Sequence, residues 1–143
     1  DVLNVDGITH FNRATNNFNG GSSIANMLFY NEDKLTLDFQ DEVALDLNNF
    51  PLVRTIDYYR LYVNDAALGQ AGVDTAFIGI FLAHLKAGNG SANSAVRAKA
   101  TAAVMDYIDN NVQIDNILFA GDLNVYTSSE NAFQNLVNYT PKP

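Results

Sequence analysis

The sequence predicts an α/β fold built on a layered sheet, and three observations carry that prediction. β-rich runs fill the first half of the chain, and the second half reads strand, helix, strand, helix. The run "DTAFIGIFLA" (74–83) is apolar on both faces, as a sheet covered on both sides requires.

Residues 1–25 are rich in Asn and Gly ("NRATNNFNGGSS") and show little periodicity, so they read as loop with at most a short element near Ile8 to Phe11. "ANMLFYN" and "DKLTLDF" then look like two strands of a hairpin. Leu35, Leu37 and Phe39 alternate with Thr36 and Asp38, and "NEDK" supplies the turn. "RTIDYYRLYV" (54–63) is a further β-rich run, with Pro51 before it and "NDAALGQAG" after it. Its tyrosines, Tyr58, Tyr59 and Tyr62, read as packing rather than as a base-stacking platform. The strand at 74–83 comes next. "SAVRAKATAAVMDYIDN" (94–110) has helical periodicity and Ala-rich propensity, with Ala98, Thr101, Ala102, Met105 and Ile108 on one stripe and Ser94 as its cap. A strand at 116–120 follows, and Ser128 or Ser129 can cap a second helix carrying Phe133, Leu136 and Val137. Pro141 and Pro143 argue for irregular backbone at the end. No repeat or linker divides the chain, so residues 1–143 are expected to form one domain.

Composition narrows the function. At 143 residues and 48% hydrophobic content, with nine phenylalanines and seven tyrosines, the chain can build a sizeable core. No apolar run approaches the roughly 18 residues of a membrane helix, so no membrane span is expected. The opening "DVLNVDGITH" lacks the basic and apolar regions of a secretion signal, so any such signal was removed or lies outside this sequence. The absence of cysteine excludes disulfides and thiolate metal sites. A net charge of −8 repels polyphosphate at long range, so a phosphate-handling protein of this charge would want a bridging cation.

Two apolar strands each end in polar residues: "FIGIFLA" runs into His84, Leu85 and Lys86, and "NILFA" into Gly121, Asp122, Leu123 and Asn124. A helical crossover between them returns the chain to the same sheet and places both strand ends at one rim, where layered α/β proteins bind ligands. A plainer reading stands beside this one, with Asp122 a turn or cap residue and His84 a satisfied surface histidine. "HLKAGNGSAN" contains Gly88 and Gly90 of a dinucleotide-type turn, but Asn93 stands where a third glycine belongs. Tyr126 and Ser128 to Glu130 follow Asn124 closely enough to line the same mouth, and Glu130 reads as a carboxylate favouring a helix N-terminus rather than as a metal ligand.

Taken together, "IGIFLAHLKAG", Arg97 on an Ala-rich helix and "ILFAGDLNVYTSSE" resemble the endonuclease/exonuclease/phosphatase superfamily. The order is the same: a strand ending in His, an Arg on the next helix, a strand ending in Gly-Asp-x-Asn. "NMLFYNEDKLTL" resembles the strand pair ahead of an Arg-bearing strand, here opening at Arg54. The resemblance implies part of a four-layer αββα sandwich of the deoxyribonuclease I type. It also implies a metal-dependent phosphoesterase, most similar to nucleases, using Mg²⁺ or Mn²⁺ on a substrate such as DNA, RNA or a small phosphodiester. By the same carry-over His84, Asp122 and Asn124 are catalytic. Asp122 and Asn124 also stand as metal-contacting candidates, and Arg54 and Arg97 are candidates for phosphate contact, with a surface or core-edge salt bridge an equal reading for either.

The sequence departs from that pattern in two places. No early apolar strand ends in the family's glutamate ligand, and no Asp-His pair follows Asn124. An internal fragment is therefore expected, inactive or nearly so by itself, whose exposed sheet edges invite self-association. The alternative is a non-catalytic binding or assembly module on the same fold. Similarity to Asn-rich, cysteine-free bacterial relatives implies an extracellular or periplasmic setting.

Overall fold

A computed structural model describes residues 3–15, 25–68 and 75–140. The expectations of irregular backbone at Pro141 and Pro143 and of loop at 16–24 lie outside the described residues. Six strands and two helices follow in the order β1 (Phe11–Arg13), β2 (Phe29–Asn31), β3 (Leu35–Leu45), β4 (Pro51–Val63), β5 (Phe77–His84), α1 (Ser91–Asn111), β6 (Ile117–Asp122) and α2 (Asn131–Val137).

β3 to β6 form one sheet in the order β3-β4-β5-β6, antiparallel except for the parallel β5/β6 pair. The crossover expected between the two apolar strands is α1. It lies on one face of the sheet, where Ala100, Ala103, Val104 and Ile108 pack with Val43, Ile56, Tyr58, Phe81 and Ala83. The opposite face carries Tyr59, Leu61, Ile80 and Leu82, and these pack with Ala14, Leu28 and Tyr30 of the small β1-β2 sheet. Helices, large sheet and small sheet are three of the layers of an αββα sandwich. Alternation along β4 divides Tyr58 and Tyr59 between the two cores, at 2% and 0% exposure, so both tyrosines are packing residues.

The expected hairpin over 25–39 is not present. The turn exists, since Lys34 N–H donates to the Asn31 carbonyl, but it carries the chain from one sheet to the other. β2 pairs with β1, and the hairpin partner of β3 is β4, joined through a turn in which Asp46 Oδ1 accepts the N–H groups of Asn48 and Phe50. An eleven-residue strand finds far more ladder bonds on a thirteen-residue partner than on a three-residue one. A register shift between Leu37 and Phe39 also breaks the simple alternation. Leu37 packs in the small-sheet core, whereas Phe39 meets Tyr58 on the helix side with ring centroids 6.2 Å apart.

Both helix starts differ from expectation. α1 begins at Ser91 behind Gly90, whose φ of 111° is open to glycine, and no side chain caps it. Ser94 lies inside the first turn, its N–H donating to the Gly90 carbonyl. α2 starts behind Glu130, not behind Ser128 or Ser129. The buried side of α1 is centred on Arg97, Thr101, Val104 and Ile108, with Ala98 and Ala102 only partly buried. The predicted stripe is rotated because α1 is covered twice, by the sheet and by α2, whose Asn135 Nδ2 donates to Ala98 O and Thr101 Oγ1.

Candidate functional site

The parallel register of β5 and β6 sets His84 directly opposite Asp122, at the carboxyl ends of both strands. The imidazole Nε2 and the carboxylate Oδ2 are 3.6 Å apart, with the His84 side chain 24% and the Asp122 side chain 63% exposed. The strand end turns sharply at Gly121, whose φ is 126° and where a Cβ would stand 1.9 Å from the Ala83 carbonyl oxygen. Only glycine lets β6 approach β5 closely enough for that register.

Beyond Asp122 the chain folds back on itself. Asn124 N–H donates to Asp122 Oδ1 at 3.1 Å, and Asn124 holds a φ of 49°, a left-handed conformation that Asn tolerates better than most residues. The Asn124 Nδ2 donates to the Leu85 carbonyl at 3.2 Å, and Leu85 N–H donates to the Asp122 carbonyl at 2.9 Å. His84, Asp122 and Asn124 are thereby brought together by hydrogen bonds between the two strand ends. The turn role and the rim role of Asp122 coexist: one carboxylate oxygen closes the turn while the other faces His84.

The two arginines occupy different places from those three. Arg54 is half-buried at the start of β4, and its Nη1 donates to the carbonyls of His84 at 3.1 Å and Leu85 at 2.9 Å. Arg97 is fully buried beneath the rim. Its Nη1 donates to the carbonyls of Lys86 at 2.8 Å and Gly88 at 3.0 Å, and its Nε and Nη2 donate to Glu130 Oε2 at 3.0 and 2.7 Å. The Tyr126 ring lies over the guanidinium, 5.3 Å from its carbon. Tyr126 N–H donates to Glu130 Oε1 at 2.9 Å, and Gly88 N–H donates to the Tyr126 hydroxyl at 3.3 Å. Glu130 is held below the ordinary carboxylate range, chiefly by the Tyr126 N–H and then by hydrogen bonds from Arg97 and Ser94. The sequence places Tyr126 and Glu130 near this mouth and allows Arg97 a salt bridge, but does not join the three. The signal for that link is Arg97 itself, at helical spacing with Thr101, Val104 and Ile108, because an arginine on a buried stripe requires a carboxylate partner.

A resident divalent cation does not fit these residues alone. Among the described residues no three His, Asp or Glu side chains converge to hold one. One Asp122 oxygen is already engaged by the Asn124 N–H. Mg²⁺ bound at such a rim would need substrate phosphate or further carboxylates to complete its shell.

No protein-family model and no curated protein matches the chain. Solved structures do. The human Nocturnin catalytic domain with bound sulfate superposes with a TM-score of 0.69 at 16% identity, over 87% of this chain and 46% of that one. D. rerio TDP2 complexed with single-strand DNA product gives a TM-score of 0.57 at 15% identity, over 94% of this chain and 44% of that one. Humanized D. rerio TDP2 gives 0.56 at 14% identity, over 99% and 49%. The chain thus spans a little under half the length of each of these structures. With its parallel β5/β6 rim between helices and a second sheet, it shares the deoxyribonuclease I-like α/β fold of these structures.

Proposed function

We propose that the rim of His84, Asp122 and Asn124 serves phosphodiester hydrolysis of the nuclease type. The observation that carries this reading is the register pairing of His84 with Asp122, 3.6 Å apart at the open end of two parallel strands. Asp122 has an exposed carboxylate oxygen with which to orient a water and accept its proton. His84 suits a hydrogen bond to a non-bridging phosphate oxygen, and Asn124 holds the loop that presents both. Arg54, anchored on the His84 and Leu85 carbonyls, contributes positive charge beside them. The superfamily resemblance implies Mg²⁺ or Mn²⁺, which when bound would neutralise charge on the phosphate.

The substrate is a phosphodiester, with DNA, RNA and small diesters all compatible with the rim. The net charge of −8 favours a short or small one. A second reading, a non-catalytic binding or assembly module, is favoured by the lack of a three-group cation site among the described residues. Hydrolysis of bis(4-nitrophenyl) phosphate separates the two. We expect a slow rate in Mg²⁺ that chelator abolishes and that Asp122→Ala lowers by roughly 10²- to 10⁴-fold. Equal rates with metal, with chelator and in the variant would leave the module reading standing.

A further inference from the structure

Arg97 heads the fully buried side chains by size among the described residues, and Glu130 beside it is only 10% exposed. Burying a guanidinium is costly unless every contact is well made, and an apolar side chain of similar volume would fill the space without that cost. What an apolar side chain lacks is several donors in a fixed plane. Arg97 directs those donors to two different loops. The Lys86 and Gly88 carbonyls belong to the loop that leaves β5 after His84, and Glu130 ends the loop that leaves β6 through Asp122 and Asn124. Tyr126 ties the same loops a second time, through its hydroxyl to Gly88 and its N–H to Glu130.

We propose that Arg97, with Glu130 as its partner, is a positioning residue that sets the spacing between the two rim loops and hence between His84 and the pair Asp122 and Asn124. This rests on reading the rim as the hydrolytic site. It assigns Arg97 a role through the backbone rather than contact with phosphate. A group displaced by about 1 Å loses much of its catalytic advantage, so a clasp beneath the rim is felt in turnover more than in substrate binding.

The test uses the full 143-residue chain carrying Arg97→Lys, which keeps the charge and gives up the fork, and Glu130→Gln as a second variant. Amide hydrogen exchange is compared at Leu85 and Asn124, whose N–H groups bond to Asp122, and at Tyr59 and Leu61 in the core of β4. We expect exchange at the two rim amides to accelerate roughly tenfold or more while the β4 amides change less than about twofold. In the diester assay kcat should fall by roughly tenfold with KM nearly unchanged. Equal acceleration at rim and core would reduce Arg97 to a general packing residue, and no acceleration at the rim would overturn the clasp. If the unmodified chain hydrolyses nothing, the exchange comparison still decides, so failure of the functional reading is separable from failure of this one. If Arg97→Lys does not fold, Glu130→Gln carries the same comparison.

Discussion

Gly121 is the residue on which the rim most depends. Its φ of 126° and the 1.9 Å approach of a Cβ to the Ala83 carbonyl together mean that Gly121→Ala must push β6 away from β5. We predict a loss of at least about 2 kcal/mol in urea unfolding, with a cooperative transition retained; a change below about 0.5 kcal/mol would show that the strands have slack. Glu130 and Asp46 make a second prediction. Both carboxyls are held below their ordinary range, Glu130 first by the Tyr126 N–H and Asp46 first by the Phe50 N–H, followed by Asn48 and the Lys99 charge. A depressed folded-state pKa stabilises above the unfolded value and loses that contribution as pH falls through the folded value. The unfolding midpoint should therefore decline as pH drops below about 4, and Glu130→Gln should flatten that decline. An unchanged acid limb in the variant would mean that Glu130 contributes nothing to it.

Among the described residues β1 and β2 are three residues each and pair only with one another, whereas β4 is paired along both edges. Amides of β2 are expected to exchange at least about tenfold faster than those of β4; equal protection would mean that the small sheet opens only with the whole molecule. The same contrast explains what was legible in the chain. The β5–α1–β6 crossover is plain because two uninterrupted apolar runs flank an Ala-rich helical period, and the handedness of such units leaves little choice. The β3–β4 hairpin is hidden because its turn is organised by the Asp46 side chain rather than by a glycine pair, and because the shift after Leu37 sends Phe39 to the other face. His84 and Asp122 can be assigned to one rim from strand endings alone. The burial of Arg97 is only half legible, since helical period aligns it with Thr101, Val104 and Ile108 but does not give the rotation that α2 imposes on the helix.

For the molecule as a whole, the uncovered part of the large sheet matters most. Leu118 faces the same side of β6 as Ile80 does on β5, yet it is 53% exposed, and Val53 on β4 is 59% exposed. Among the described residues β6 pairs on one side only, so its other edge is open to a further strand. We predict concentration-dependent association in sedimentation experiments, reduced by Leu118→Lys; a monomer at all concentrations would show that this edge is not adhesive. The central claim, that His84 and Asp122 act as one unit on a phosphodiester, is tested most directly by a double-mutant cycle in diester hydrolysis. His84→Ala, Asp122→Ala and the double variant should each lose a similar, roughly 10²-fold or greater, share of the rate. Losses that multiply independently, or no loss at all, would contradict it.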